Sequence, residues 1–180
     1  MQVTLFRQML EHSCQSTGRA IIQLDNRTKD NAIVLFPGAN ASEPSAFPED
    51  LSHYSLLALQ NEVPLQHTRE ALTLAKGQGI SCLLNPSPSI SHHRFPYELV
   101  DWLCVNEDEL FELYQAVIAD TEVSLKKAQQ GLVKKFPNLN LVVTLGARGC
   151  QALSKSWEVS CPTGKLPGPV VDTVSPLVAH

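Results

Sequence analysis

Residues 141–150 read LVVTLGARGC and combine a strand with a glycine turn. Residues 141–143 form a short apolar run rich in valine, which predicts a buried strand. Gly146 and Gly149 follow at a spacing typical of a tight turn whose backbone can approach a ligand closely. Open α/β sheets present ligands at such strand ends, although many β-turns also need glycine and bind nothing.

Strand-like and helical patterns alternate on the N-terminal side of this stretch, through residues 55–145. The alternation predicts βαβ units, a largely parallel sheet and the α/β fold class. Asp120 and Thr121 are predicted to cap the helix that precedes the opening strand. The other predicted elements are a β-hairpin at residues 20–24 and 32–36, helices at 67–76 and from Asn106 to about Tyr114, strands at 80–84 and 100–105, a second hairpin at 151–153 and 157–159, and a short strand at 170–171.

Composition excludes several classes of protein. The chain has 180 residues, of which 43% are hydrophobic and 18% charged, as in an ordinary globular domain. A formal net charge of -4 supplies no basic field for nucleic acid, and no apolar run is long enough to span a membrane. Five cysteines without a C-x-x-C pair indicate buried thiols in a reducing cytoplasm, rather than disulfides or a zinc site.

Six short segments, in this order, resemble the ribokinase family of sugar kinases, which are the pfkB carbohydrate kinases. The resemblance covers about residues 17–173. A match to any one segment is weak evidence for the family, whereas six matches in the family's order are strong evidence. The segments are TGRA at 17–20 with PGAN at 37–40, LQNEVP at 59–64, LNPSP at 84–88, VNEDE at 105–109, TLGARG at 144–149 and VVDT at 170–173.

The resemblance implies a ribokinase-like three-layer α/β/α core with a partial β-lid. We expect a single partial domain over residues 1–180. Within it, residues 17–40 belong to the lid, 50–173 to the core and 174–180 to a divergent tail. Lids of this kind close over the substrate, and in several family members they also pair into dimers, so a homodimer through the lid is one expectation. The cytoplasm is the expected compartment, with the nucleus as a second one.

The resemblance also suggests which residues bind the two substrates. Glu62 would contact the sugar; without the family, a surface glutamate ahead of a proline turn would be the preferred explanation. Asn106 and Glu109 would lie near Mg²⁺ and the ATP phosphates, with Glu109 acting through water. The same N-x-x-E spacing is also that of a capping box, which needs no ligand, and both interpretations can hold at once.

The glycine turn corresponds to the family's nucleotide loop. By resemblance, the ATP-binding residues are Asn106 together with Thr144, Leu145, Gly146, Ala147, Arg148 and Gly149. Asp172 and Val174 match the segment with which ribokinases hold a monovalent cation, so K⁺ is an expected activator beside ATP and Mg²⁺; an ordinary turn aspartate is the alternative.

The chain departs from the family after residue 173. There the family continues into Gly-Ala-Gly-Asp, whose glycines form an anion hole and whose aspartate takes the proton from the sugar hydroxyl. This chain reads VSPLVAH at residues 174–180, and Asp172 is not an obvious substitute base. We therefore expect no catalytic base and a family member truncated at both ends, whether as a fragment, a splice form or a faulty gene model.

The family function would be ATP-dependent phosphorylation of a sugar hydroxyl, with D-ribose to D-ribose 5-phosphate as the first choice. Three alternatives stay open for this chain. It could be a non-catalytic module that holds nucleotide or pairs with a complete kinase, a Rossmann-type nucleotide-binding domain of another class, or an unstable product. The Rossmann alternative is disfavoured because no G-x-G-x-x-G opens a helix after the first strand.

Overall fold

The structure of the protein is a computed structural model that describes residues 15–25, 31–42, 50–87 and 95–164. The chain divides into two compact units, Met1–Pro48 and Glu49–His180. The expected arrangement of lid, core and tail within a single domain stays a prediction. The predicted strand at residues 170–171 and the tail lie outside the described residues.

The first unit contains the predicted β-hairpin. Strands β1 (Arg19–Leu24) and β2 (Asn31–Phe36) pair antiparallel, with Ile21 opposite Val34 and Ile22 opposite Ile33. Because residues directly opposite one another share a face, each face of this ribbon carries at least one apolar pair. Ile21 is 61% exposed and Val34 is 55% exposed within the protein. The hairpin therefore presents apolar side chains to solvent.

The described residues of the second unit form one sheet of six strands in the order β3-β4-β5-β6-β7-β8. The first four strands run parallel to one another, β7 pairs antiparallel with β6, and β8 pairs antiparallel with β7. This largely parallel sheet confirms the predicted α/β class and the second hairpin. The strands are β3 Leu56–Gln60, β4 Ser81–Asn85, β5 Trp102–Asn106, β6 Asn140–Thr144, β7 Cys150–Leu153 and β8 Glu158–Cys161.

One face of this sheet packs against the helices. Leu103, Leu141 and Leu153 are aligned across β5, β6 and β7, and all are buried. They join one hydrophobic core with apolar side chains of the helices, including the fully buried Leu110 and Leu132. Crossover connections between parallel strands are right-handed, so strands that are added in one direction along the sheet have their connecting helices on the same face. Strands β3 to β6 are added in this way. Within the described residues the helices are α1 Leu65–Gly77, α2 Glu107–Ile118 and α3 Leu125–Lys135.

Helix α3 begins later than the sequence predicts. Its N-cap is Ser124, whose Oγ accepts a hydrogen bond from the Lys127 backbone N–H at 3.3 Å. The predicted cap at Asp120 and Thr121 is therefore wrong. The Asp120 carboxylate instead accepts hydrogen bonds from the Tyr114 hydroxyl at 3.2 Å and the Glu122 backbone N–H at 3.0 Å, and pairs with the Lys127 ammonium at 2.8 Å. Those contacts leave Ser124 to cap the helix.

Helices α2 and α3 approach closely where Gly131 faces the buried ring of Tyr114. A Cβ at residue 131 would overlap Tyr114 Cε2 and lie 3.2 Å from Cδ2. We expect Gly131→Ala to lower the free energy of unfolding by about 1 to 2 kcal/mol, because the overlap outweighs the better helix propensity of alanine. Gly77→Ala is the matched control, since Gly77 ends α1 and its Cβ would meet nothing within 4 Å. Urea denaturation measures both; equal free energies for the two variants would contradict this packing.

The cysteines differ in exposure. Cys82 is buried in the core as predicted, whereas Cys104 and Cys150 are half-buried and Cys161 is exposed. The prediction of buried thiols is therefore wrong for Cys161, because β8 lies at the edge of the described sheet. Among the described residues, no helix is both long and apolar enough to cross a bilayer.

Candidate functional site

The carboxyl ends of the parallel strands β3 to β6 lie at one edge of the sheet. Gln60 is in register with Asn85, and Asn106 with Thr144, so the four strands end side by side. Four of the six sequence segments that suggested a site continue from these strand ends. This edge, with residues 61–62, 85–87, 106–109 and 144–149, is called the strand-end edge.

Asn106 and Glu109 form the capping box that their spacing predicts, at the start of α2. Asn106 Oδ1 accepts a hydrogen bond from the Glu109 backbone N–H at 2.8 Å, and Glu109 Oε2 accepts one from the Asn106 backbone N–H at 2.9 Å. The cap thus fixes both side chains while leaving Glu109 Oε1 outside the box. The N-terminus of α2 also favours anions in its neighbourhood.

These two side chains fit a magnesium ion that keeps most of its waters. In the part of the chain that the structure describes, no cluster of three or more histidine, cysteine or acidic side chains could hold a metal. Mg²⁺ in nucleotide sites is held by one or two carboxylates, several waters and the phosphates, rather than by a protein cage. A single carboxylate with one oxygen outside its capping box, beside a helix N-terminus, meets that requirement.

Residues 144–149 fold back on themselves directly after β6. The Leu145 backbone N–H donates to Gly149 O at 2.7 Å, and the Gly149 N–H donates to Gly146 O at 3.0 Å. Gly146 and Gly149 have φ values of 54° and 93°, in the region that favours glycine. The predicted glycine turn is therefore confirmed. Thr144 ends the strand, and its hydroxyl donates to Val105 O at 3.4 Å.

The glycine turn is connected to α2 through an ion pair. The Arg148 guanidinium donates to the Glu107 carboxylate in the first turn of α2. Both side chains are at least partly exposed, so the pair contributes little to stability and mainly orients the turn. Sequence reasoning did not assign a role to Glu107, although VNEDE contains it; nothing in the spacing indicates its partner on another loop.

A second contact to the glycine turn comes from the segment after β8. The Thr163 hydroxyl donates to Ala147 O at 2.8 Å. Gly149 lies against the same segment, because a Cβ there would overlap Cys161 O and approach Pro162 Cα to 2.8 Å. No sequence signal links residues 161–163 to the turn, so this support was missed.

The segment after β3 holds one exposed and one buried polar side chain. Glu62, the predicted sugar contact, is exposed. Asn61, beside it, is only 7% exposed, and neither polar atom of its side-chain amide has a hydrogen-bond partner. Its backbone N–H donates to Ser87 O at 3.1 Å, which joins the LQNEVP and LNPSP segments. Asn61 was not singled out from the sequence because an asparagine after a strand is common in turns.

The two segments predicted to belong to the lid also meet, within the first unit. The Ala39 backbone N–H donates to Ser16 O at 2.9 Å. A Cβ on Gly18 would lie 2.8 Å from Pro37 O, so TGRA and PGAN pack backbone against backbone. Asp172 and Val174, the predicted cation ligands, lie outside the described residues.

Comparison with known proteins gives a consistent result. A family model described as pfkB family carbohydrate kinase matches residues 7–175. Deoxyribokinase from Salmonella typhi is 33% identical over 158 residues, which are 85% of this chain and 51% of that protein. Ribokinase from Lactococcus lactis is 32% identical over 139 residues, covering 75% of this chain and 42% of that protein. The chain thus spans about half the length of the curated relatives it matches.

Solved structures resemble the fold as well. The crystal structure of ribokinase from Cryptococcus neoformans, in complex with ADP, superposes with a TM-score of 0.77 at 35% identity. It covers 91% of this chain and 56% of its own. The ribokinase-like α/β fold predicted from the sequence is therefore confirmed.

Proposed function

Because the chain belongs to the pfkB family of carbohydrate kinases, we propose that its strand-end edge is part of a sugar kinase centre. The complete protein transfers the γ-phosphoryl group of ATP to a sugar hydroxyl, and D-ribose is the first candidate substrate. The observation that carries the proposal is the meeting of residues 106–109 and 144–149 at one edge of the sheet, joined by Arg148 and Glu107.

In this proposal residues 144–149 hold the nucleotide. The turn places glycine backbone next to the ligand, which lets the backbone approach closely. Asn106 lies in register with Thr144 on the neighbouring strand and faces the same ligand. Asn106 and Glu109 hold Mg²⁺ through water, and the ion supplies positive charge for the phosphates. The ADP bound to the Cryptococcus ribokinase supports a nucleotide ligand of this kind.

Glu62 is the proposed sugar contact. It is exposed at the end of β3, where its carboxylate can accept hydrogen bonds from sugar hydroxyls. The names of the relatives, ribokinase and deoxyribokinase, favour a pentose. Asp172 and Val174 are proposed to bind K⁺.

For a polypeptide of these 180 residues alone, we propose nucleotide binding without phosphoryl transfer. Its sequence has no Gly-Ala-Gly-Asp segment, so no residue in it takes the place of the family's proton acceptor or anion hole. Positioning and electrostatics would both be incomplete, and phosphoryl transfer depends on the two together.

Two measurements on the 180-residue polypeptide test this proposal. MgATP at about 100 times its Kd should raise the free energy of unfolding by about 2.7 kcal/mol, seen as a higher melting temperature. A coupled assay for ADP should detect no release that depends on ribose. Ribose-dependent ADP release would overturn the inactivity, and a folded chain without an ATP-dependent shift would overturn the nucleotide site.

Substitutions at the capping box separate its structural role from the metal role. Glu109→Gln keeps an oxygen that can accept from the Asn106 N–H, so we expect a change in unfolding free energy below about 0.5 kcal/mol. Loss of the carboxylate charge should weaken MgATP binding about tenfold, measured by calorimetry. Asn106→Ala should destabilise by about 1 kcal/mol because it removes the cap. If Glu109→Gln leaves MgATP affinity unchanged, the pair is a cap only.

We also propose that the hairpin β1–β2 mediates a homodimer. The exposed apolar residues Ile21 and Val34, directly paired across the hairpin, support it. We expect Ile21→Lys to halve the mass found by light scattering, because a charge would lie in the apolar contact. Gln130→Lys is the control for added charge, since Gln130 is exposed on α3 and does not belong to the hairpin. A monomeric wild-type protein would contradict the proposal.

A further inference from the structure

Two cysteines lie directly opposite each other in the hairpin that follows the glycine turn. Cys150 begins β7, Cys161 ends β8, and the register of the two antiparallel strands pairs them. Residues directly opposite in such a pair project from the same face of the sheet. Cys161 is exposed and Cys150 is half-buried, so a small oxidant in solution can reach at least one of the thiols.

The spacing of this pair suits a disulfide. The Ser154 N–H donates to Trp157 O at 2.8 Å in the same register, so Cys150 and Cys161 occupy a hydrogen-bonded position of the ladder. At such positions the Cα atoms are about 5.5 Å apart, which is within the usual range for disulfides. At a hydrogen-bonded position the Cβ atoms lie near the long end of about 4.5–5.5 Å, so they must approach by about 1 to 2 Å to reach disulfide geometry.

Strand β8 can make that small movement. It is the last strand of the sheet in the described part of the chain, and all four of its residues are exposed. None of its residues belongs to the hydrophobic core of the described residues, so a shift of β8 towards Cys150 disturbs little of that core.

We propose that Cys150 and Cys161 form a reversible disulfide when the protein meets a low-molecular-weight disulfide such as oxidised glutathione. The Cys161 thiolate attacks one sulfur of glutathione disulfide, forms a mixed disulfide and releases one glutathione thiolate. The Cys150 thiolate then attacks the Cys161 sulfur and expels the second glutathione. Both cysteines are oxidised, glutathione disulfide is reduced, and the two protons lost by the cysteine thiols are taken up by the two released glutathione thiolates to give two glutathione thiols.

Cys104 lies on the same face of the sheet and competes with Cys161 as the disulfide partner of Cys150. Cys104 belongs to an inner strand, β5, that is paired on both sides, which makes approach to Cys150 harder.

The disulfide would hold in place the point where the glycine turn joins β7. Gly149 immediately precedes Cys150, and its backbone already lies against Cys161 O. A covalent link at this point therefore holds residues 144–149 against β8. A several-fold change in MgATP affinity on oxidation is the expected consequence, and this part rests on the proposed nucleotide site, whereas formation of the disulfide does not.

The test is peptide mapping after equilibration in glutathione buffers of rising disulfide content. Free thiols are blocked by alkylation, and the protein is digested with trypsin without reduction. Cleavage after Arg148, Lys155 and Lys165 puts the two cysteines on separate peptides, residues 149–155 and 156–165. We expect these two peptides to be joined, with the loss of two hydrogen atoms, and to separate after reduction.

Two variants complete the test. Cys161→Ser should abolish the linked peptides, while Cys104→Ser, the matched control, should retain them. Because Cys161 is exposed, its serine variant should keep the wild-type melting temperature, which shows that the loss is chemical. The proposal is overturned if Cys161 carries only a glutathione adduct, or if Cys150 is linked to Cys104. An unchanged MgATP affinity in a protein that does form the link would instead contradict only the expected effect of the disulfide on residues 144–149, whereas absence of MgATP binding in the reduced protein would contradict the nucleotide site.

Discussion

Gly149→Ala is expected to destabilise the protein by about 3 to 5 kcal/mol and to abolish MgATP binding. Two effects add at this position. With φ at 93° and ψ at -139°, Gly149 occupies backbone space that other residues enter only at about 1 to 3 kcal/mol. A Cβ would also overlap Cys161 O and lie 2.8 Å from Pro162 Cα. Both atoms belong to the backbone, so no rotamer change relieves the overlap, and overpacking costs about 1 to 3 kcal/mol more.

Gly79→Ala is the control that separates these two effects. Gly79 has φ at 72°, but a Cβ there would meet nothing within 4 Å. Its substitution should cost only about 1 to 2 kcal/mol, the price of the left-handed backbone alone, and should leave MgATP affinity unchanged. Urea denaturation and calorimetry measure both variants. Equal destabilisation of the two would show that the turn does not pack against residues 161–162.

Asp101→Ala is expected to cost about 2 to 4 kcal/mol without changing ligand affinity. The Asp101 carboxylate lies just before β5 and near the start of β4. It is therefore at the opposite edge of the sheet from the carboxyl ends of the strands. Its Oδ2 accepts from the Cys82 backbone N–H at 2.7 Å, and its Oδ1 accepts from the Lys76 ammonium at 2.6 Å. Hydrogen bonds to a charged group contribute about 1.5 to 3 kcal/mol each, and their loss leaves a part-buried donor unpaired.

The matched variant is Asp101→Asn, which keeps an oxygen for the Cys82 N–H and loses the charge that pairs with Lys76. It should cost about half as much as Asp101→Ala. The backbone contacts of Asp101, including Asn140 N–H to Asp101 O at 2.8 Å, remain in both variants. Calorimetry on the folded fraction should give the wild-type MgATP affinity, and a weaker affinity would mean that the two ends of the sheet are coupled.

Local features of the fold could be predicted from the sequence. The capping box of Asn106 and Glu109 depends on residues three apart, so its pattern is visible without any tertiary information. The glycine turn after β6 was equally local, because Gly146 and Gly149 are needed for positive φ. The alternation of strands and helices indicated a parallel sheet for the same reason, since each element has its own periodicity.

Contacts between segments distant in sequence could not be predicted. The start of α3 was missed because Asp120, Thr121 and Ser124 are all good capping residues, and only the pairing of Asp120 with Tyr114 and Lys127 decides among them. The exposure of Cys161 follows from the position of β8 at the edge of the described sheet, which is a property of strand order.

The candidate site shows the same difference between local features, which could be predicted, and contacts between distant segments, which could not. The segment order indicated which strand ends would carry polar residues, and the structure brings Asn106 and Thr144 into register. The supporting contacts, Arg148 to Glu107 and Thr163 to Ala147, join loops that are far apart in the chain. The unpartnered amide of Asn61 depends on burial, which a sequence pattern after a strand does not reveal.

Calorimetric titration of the folded 180-residue polypeptide with MgATP tests the central claim most directly. We expect saturable binding with one nucleotide per chain, weakened about tenfold by Glu109→Gln and lost in Gly149→Ala. The Gly79→Ala protein should bind as the wild type does. A wild-type chain that unfolds cooperatively yet binds no MgATP would contradict the claim that the strand-end edge is a nucleotide site.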